Sequence, residues 1–273
     1  MKIDNTTVAV VTGAASGIGR ALAIRLAAEG AQLALCDVNE SDLEETARLA
    51  AKPGVKISTH VVDVSDRERM QAFAGEVLAE HGRAHLIINN AGVAIGGTVE
   101  ELAIEDFEWL LGINLWGVIY GTKMFLPILR QQPRGHIVNI SSVFGIIAPP
   151  GQSAYATSKF AVRGFTESLR HELKGSNITV TSVHPGGIRT NIARNARSGA
   201  GVDASVVEKE IEFFDKVART LPETAAEVIV RGVLNDKEKI LIGSDAWMID
   251  KVQRLMPVQY WNFLGMLLEK LAQ

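Results

Sequence analysis

The chain predicts an α/β fold in which one doubly wound, parallel, seven-stranded sheet is covered on both faces by helices. Three observations predict it. Short β-branched runs alternate with longer stretches of helical periodicity. The runs are nearly continuously apolar, as strands buried on both faces require. No linker, composition shift or repeat divides the 273 residues, so residues 1–273 read as a single domain. Right-handed crossovers between such strands wind the sheet in both directions.

The elements follow in order. Thr7–Val11 reads as a strand, and Gly17–Glu29 as a helix with apolar Ala21, Leu22, Ile24, Leu26 and Ala27, stopped by Gly30. Gln32–Cys36 is the second strand, and Glu40–Ala51 is a helix ended by Pro53-Gly54. The third strand is Val55–Val62. Asp66–Glu80 is a helix broken at His81-Gly82, and His85–Asn89 is the fourth strand. Ile104–Leu111 and Leu115–Leu129 read as helices, His136–Ser141 as a strand and Ser153–Leu173 as a long helix. Ile178–Val183, the helix Thr224–Leu234 and the strand Lys239–Ile242 complete the pattern. Gly186–Pro222 and the tail after Gly243 are irregular.

Composition narrows the function. Hydrophobic residues make up 47% and charged residues 22%, values of a soluble globular protein. A net charge of −3 offers no footprint for nucleic acid. The lone Cys36 has no partner for a disulfide and fits a reducing, cytoplasmic setting, or simply a buried apolar position. Val8–Val11 is too short for a signal core, and no stretch reaches the ~20 apolar residues of a membrane span. The six histidines are scattered, so no metal site is expected.

In this architecture ligands bind beyond the carboxyl ends of the strands, where the strand order reverses. The first strand runs into Thr12-Gly13-Ala14-Ala15-Ser16-Gly17-Ile18-Gly19, and a helix starts there. Such glycines let a pyrophosphate approach the backbone, and the helix N-terminus attracts its charge. Asp37 ends the second strand 18 residues beyond Gly19. A carboxylate there accepts both ribose hydroxyls and repels a 2′-phosphate, which favours NAD over NADP; a turn-forming aspartate is the alternative. Arg20 lies inside the helix start and does not argue for NADP. Asp63, followed by Val64, is either an adenine contact or a helix N-cap. Asn89 can tie neighbouring strand ends through its amide.

Tyr155 and Lys159 are four apart on one helix face. A free tyrosine titrates near ~10, and a neighbouring ammonium is expected to lower that value so that Tyr155 exchanges a proton with an alcohol or ketone. Ser142 can donate a hydrogen bond to the substrate oxygen. Spacing alone also fits a solvated helix face.

Together these residues resemble the short-chain dehydrogenase/reductase family, in its smaller single-domain branch with a Rossmann-like sheet. The resemblance covers about residues 6–243. Gly13, Gly17, Ile18 and Gly19 resemble its cofactor turn, with Ser16 before Gly17, and Asn89-Asn90-Ala91-Gly92 its fourth-strand signature. Tyr155-x-x-x-Lys159, with Ser142 13 residues earlier, resembles its active-site signature. The resemblance implies a catalytic role for Asn114, which bends its helix and holds a water leading to the lysine. It also implies that Lys159 holds the nicotinamide ribose, and that Pro185-Gly186, Ile188 and Thr190 line the nicotinamide. A homodimer or homotetramer is the family expectation. The family's Gly-Gly ending is absent here, where Ile242-Gly243-Ser244-Asp245 leads into a longer tail.

Val143, Phe144, Ile147 and Gln152 are the candidate substrate contacts, with Val93, Ile95, Ile146 and Pro149 nearby. A pocket so lined favours a hydrophobic alcohol or ketone, whether steroid-, lipid- or aromatic-like; the same residues also suit a core. Residues 190–222, with amphipathic Val202–Val217, form a candidate substrate lid. Arg189, Arg194 and Arg197 can reach an anionic group or belong to a solvated loop. The extension 244–273 carries Trp247, Leu255, Tyr260, Trp261, Leu264, Leu267 and Leu268. It can pack on its own or a second subunit, cap the substrate, or make peripheral membrane contact near Lys251, Arg254 and Lys270. The expected activity is NAD-dependent interconversion of a secondary alcohol and its ketone. The alternatives are an NAD-binding regulator without turnover, or the same enzyme using NADP. Sugar epimerases and dehydratases have a different glycine spacing.

Overall fold

A computed structural model describes residues 1–199 and 202–272, without the side chains of 204 and 267–272. Residues 200–201 of the candidate lid and the side chains of Leu267, Leu268 and Lys270 of the tail therefore lie outside the described residues. Seven strands pair in parallel: β1 (Val8–Thr12), β2 (Gln32–Asp37), β3 (Ile57–Val61), β4 (Leu86–Asn89), β5 (Gly135–Ile140), β6 (Ile178–Pro185) and β7 (Lys239–Ile242). Their order is β3-β2-β1-β4-β5-β6-β7, which reverses between β1 and β4.

Alternation along each strand divides the core into two layers. Val11, Leu33, Leu35, Leu86 and Ile88 face α1 (Gly17–Ala28) and α8 (Pro222–Leu234), meeting Leu22, Leu26, Ile229 and Val233. Val10, Ala34, Cys36, Ile87 and Ile137 face the other way. There they meet Met70, Phe73 and Val77 of α3 (Arg67–His81) and Phe125 and Leu129 of α5 (Gly117–Arg130). Leu169 of α6 (Ser153–Glu172) completes that layer. Each fully buried side chain of this size contributes about 1.5–3 kcal/mol, which drives the sheet into the middle. Val10 pairs with Ala34 and with Ile87, so β1, β2 and β4 end together. That register gathers Thr12, Asp37 and Asn89 at one edge.

Several boundaries differ from the pattern reading for identifiable reasons. Asp66 caps α3 by accepting from the N–H groups of Glu68 and Arg69. Asp63 is therefore not the cap; its carboxylate accepts from Ser65 in a local turn. No break separates α4 (Ile104–Leu111) from α5, because a π-helical turn over Gly112–Trp116 joins them. Its wider turn carries Asn114 to full burial. β6 runs to Pro185, two residues past the expected end, pairing His184 and Pro185 with Leu241 and Ile242. A parallel ladder of Ile95–Gly96 with Arg197–Ser198 is too short to leave a period.

Beyond β6 the irregular stretch contains α7 (Ala204–Val217), capped by Asp203. The tail is two helices, α9 (Ser244–Leu255) and α10 (Tyr260–Ala272). Among the described residues no helix is long and apolar enough to cross a membrane.

Candidate functional site

The strand order reverses between β1 and β4, the place where sheets of this kind open a crevice, and the glycine turn stands on one side of it. Thr12 Oγ1 accepts from the backbone N–H groups of Asn90 and Ala91, both at 3.0 Å. Asn90 Nδ2 donates to the carbonyls of Thr12 at 2.9 Å and Gly13 at 3.1 Å. The Asn90 amide thus holds the turn in place. Gly13 has φ +65°, and a Cβ there would stand 2.7 Å from Ala91 Cα. A Cβ on Gly19 would collide with the Gly13 carbonyl. These two glycines serve the close packing of the turn itself. Gly17, with φ +53°, faces Thr190, whose Cγ2 is 3.1 Å from where a Cβ would be. The segment after β6 therefore reaches across the crevice to the turn.

The N-terminus of α1 fits a phosphate. Ser16 makes no side-chain cap and the first turn has no acid. By contrast, Asn39 caps α2 (Glu40–Ala50) through the N–H of Asp42. Asp37, half-buried, accepts from Ala15 N at 3.0 Å and Asn39 N at 3.1 Å, which aims its carboxylate at the edge of the turn. Arg20 is held by Thr46, the Ala15 carbonyl and Asp42, within α1 and α2. Asp63 is exposed at the end of the third strand's loop, and Val64 is buried against Gly117. Ile188 is buried with the core and bridges to Thr220.

On the far side, α6 presents Tyr155 and Lys159 beside the loop after β5. The Lys159 ammonium nitrogen is 3.3 Å from the Ile140 carbonyl and 5.5 Å from the centre of the Tyr155 ring. Ser141 donates to the Lys159 carbonyl at 2.8 Å, so the first of the paired serines is used structurally. Buried Ser142 accepts from Phe144 N at 3.1 Å, and its hydroxyl also reaches the Tyr155 phenol. The buried amide of Asn114 accepts from Val93 N and donates to Val93 O, at 2.8 and 2.9 Å. It also donates to Ser158 at 3.2 Å. Gly92 separates Asn114 from Lys159: a Cβ there would be 3.2 Å from Asn114 Oδ1 and 3.4 Å from Lys159 Nζ. Ser142, Tyr155, Lys159 and Asn114 thus gather around one point.

The electrostatics differ from the sequence expectation. Burial pushes the Tyr155 phenol up to about 12, with the Ser142 hydroxyl pulling the other way. Burial pushes Lys159 down to about 8. In the protein alone the lysine does not bring the tyrosine down. Lys159 is buried and Tyr155 partly so, and desolvation disfavours the charged form of each.

Of the candidate substrate contacts, Phe144 meets the Tyr155 ring edge to face at 6.0 Å. Val143 is buried, Ile147 lies in an apolar cluster with Leu264 of α10, and Gln152 bridges to Gly97 near the base of α6. Arg194 pairs with Asp215, and Arg197 stacks on Trp109 at 3.7 Å. Asn89 donates to Asn139 at 2.8 Å and ties β4 to β5.

Two residues escaped the pattern reading. His184, buried in β6, bonds through Nδ1 to the Ser142 carbonyl at 3.0 Å and through Nε2 to Ser182 at 2.9 Å. Burial pushes it down to about 4, so it is a neutral prop for the Ser142 loop. Asp245 accepts from Gly187 N at 2.7 Å. Neither lies on a periodic face. The run His184-Pro185-Gly186-Gly187 was the available signal.

Comparison with known proteins places this geometry in a family. Residues 7–201 match the model of the short chain dehydrogenase family. Oxidoreductase SadH of Mycobacterium tuberculosis, itself provisionally named, is 46% identical over 261 residues, 94% of either chain. The 3-oxoacyl-(acyl-carrier-protein) reductase FabG of Thermotoga maritima is 38% identical over 223 residues, 82% of this chain and 88% of that one. Among solved structures, a short chain dehydrogenase/reductase from Burkholderia phymatum in complex with NAD superposes with a TM-score of 0.86. It is 30% identical, covering 93% of this chain and 95% of its own. Levodione reductase gives a TM-score of 0.77 at 29% identity, covering 89% of this chain and 98% of its own.

Proposed function

The chain belongs to the short-chain dehydrogenase/reductase family of oxidoreductases, and from that premise we propose that it interconverts a hydrophobic secondary alcohol and its ketone with NAD. The observation that carries this reading is the convergence of Ser142, Tyr155, Lys159 and Asn114 opposite the glycine turn.

NAD, when bound, supplies the hydride acceptor, or in reduced form the donor. The uncapped start of α1 and the Gly13–Gly19 turn would hold its pyrophosphate. Asp37 would accept the adenosine ribose hydroxyls, with Asp63 and Val64 beside the adenine. Asn90, Ala91, Gly92 and Lys159 would border the second ribose, and Pro185, Gly186, Ile188 and Thr190 the nicotinamide. Asp37 favours NAD over NADP, and Arg20 is engaged elsewhere. The Burkholderia relative's complex with NAD agrees with this choice.

Ser142 donates a hydrogen bond to the substrate oxygen. Tyr155 donates its phenolic proton to that oxygen in reduction and takes the hydroxyl proton in oxidation. A phenol near 12 is a ready donor. The reverse step needs the phenolate, which a protonated Lys159 supports from one turn along α6. Asn114 fixes the Val93 backbone and Ser158 around that lysine. Phe144 and Val143 supply an apolar wall, and residues 190–222 with α7 act as a lid that excludes water. The protein works as a homo-oligomer on a small-molecule substrate, in the cytoplasm.

The reading is tested by following NADH formation across steroid, aliphatic and aromatic secondary alcohols. Tyr155→Phe is expected to lower kcat by about 10²–10⁴-fold with NAD binding retained. Full turnover by that variant sinks the assignment.

A further inference from the structure

After β7 the chain turns back over the site. We propose that the segment from Asp245 to Leu264 is a two-point strap on the active site, in which Asp245 positions the Pro185–Gly187 turn and Tyr260 positions the Val143–Ala148 loop. The inference rests on the alcohol–ketone reading and extends it to residues outside the family's signature motifs.

The first anchor is a carboxylate wedged between two glycine backbones. Asp245 Oδ2 accepts from Gly187 N at 2.7 Å. A Cβ on either Gly186 or Gly243 would collide with the same carboxylate. A side chain at 186 would therefore have to displace the Asp245 carboxylate. The turn it holds follows directly from β6, on the side of the crevice assigned to the nicotinamide. α9 is fixed to the sheet by the ion pair of buried Asp250 with Lys239 of β7, and Arg254 adds a second contact. Asp245 is thus carried on an anchored helix.

The second anchor is polar and apolar at once. Tyr260 Oη accepts from Ala148 N at 3.1 Å. Beneath it, Ile146, Ile147 and Leu264 are buried in one cluster, with Phe144 and Trp261 at its margin. Phe144 also meets Tyr155, so the cluster extends from α10 to the proposed proton donor. The loop leaves β5 after Ile140 and enters α6 at Ser153, past exposed Ala148 and Pro150. Hydrogen bonds through Ser142 and from Arg163 of α6 to the Gly145 carbonyl at 3.2 Å hold the first part of the loop, while Tyr260 holds its far end. α6 fixes the Val143–Gly145 end of the loop, and α10 braces the Ile146–Ala148 end against which Phe144, the neighbour of Tyr155, stands. A substrate's apolar part would read the position of that braced end.

Amide hydrogen exchange of the full-length protein tests the strap without turnover. Tyr260→Phe should speed exchange at Ala148, and Asp245→Ala at Gly187, by about tenfold each, the loss of one hydrogen bond. Val10 and Ile87 in the sheet should be unchanged. Asp245→Asn, which keeps a carbonyl acceptor, should restore protection at Gly187. Steady-state kinetics on 2-alkanols from 2-butanol to 2-decanol then read function. Tyr260→Phe should raise KM several-fold for 2-decanol, with kcat and KM for 2-butanol within twofold of wild type. Asp245→Ala should raise KM for NAD, and Asp245→Asn should reverse the rise. Unchanged exchange at both amides overturns the strap, and faster exchange with an unchanged chain-length profile overturns its role in substrate fit. If wild-type protein oxidises no member of the series, the alcohol–ketone reading fails for these substrates. The exchange arm and calorimetric NAD affinity of Asp245→Ala then decide the strap alone.

Discussion

Lys159 sits where an ammonium is least at ease, and its burial depresses its pKa to about 8 from an ordinary value near 10.5. Between those two values the unfolded chain binds a proton that the folded chain does not, so this residue makes stability rise with pH across that window. Below about 8 both states are charged, and the folded state carries the full desolvation cost. Lys159→Met is therefore expected to stabilise the fold at pH 7 by about 1–3 kcal/mol while cutting kcat/KM at least a hundredfold. Thermal melts at pH 7 and 10, beside the alcohol assay, check both halves; a variant that melts lower at pH 7 contradicts the burial argument. Asp37 makes a second prediction. Asp37→Ala should raise KM for NAD about tenfold and narrow the preference over NADP, read from kcat/KM with each cofactor. Unchanged selectivity would remove the ribose assignment. Tyr155 and Asp37 were singled out in the sequence because each stands at a fixed offset from a glycine or lysine marker. The direction of the Tyr155 shift was not, since spacing carries no information about how much water a folded crevice keeps.

The connection from β1 to α1 decides whether the crevice exists. Gly19 stands against the Gly13 carbonyl, so Gly19→Ala forces that backbone apart. It is expected to destabilise the protein by about 1–3 kcal/mol and to weaken NAD binding, measured by denaturant unfolding and calorimetry. An unchanged midpoint and affinity would show that the turn does not depend on this contact. Element boundaries were readable wherever a glycine, proline or capping residue punctuated the chain, as at Gly30 and Pro53-Gly54. The joint between α4 and α5 was hidden, because the π-turn arises from burying Asn114 against Val93 rather than from a break in the helical pattern. The short ladder of Ile95–Gly96 with Arg197–Ser198 was equally invisible, being a contact between residues a hundred positions apart.

At the scale of the whole molecule, the site joins β1, β2, β4, β5 and β6 with the strap from the carboxyl end. A ligand that binds only the folded state therefore stabilises all of it: about 2.7 kcal/mol at a hundredfold excess over Kd. For a chain of this size NAD is expected to raise Tm by about 5 °C, with NADP at the same concentration raising it less. Equal shifts would argue against Asp37 as the discriminating group. The succession of strands and helices along the chain, the glycine turn and the short offsets joining Ser142, Tyr155 and Lys159 were readable in the sequence alone, because periodicity and local spacing report on burial and on which residues share a face. The order of the strands in the sheet came from the tertiary structure. The tail was legible only as apolar area in need of a surface. Tertiary structure alone decided that it covers the Val143–Ala148 loop of its own chain, that Asp245 reaches Gly187, and that His184 props Ser142. Each of these is a contact between distant residues, chosen by how the packed layers bring loops together, and no local pattern encodes it.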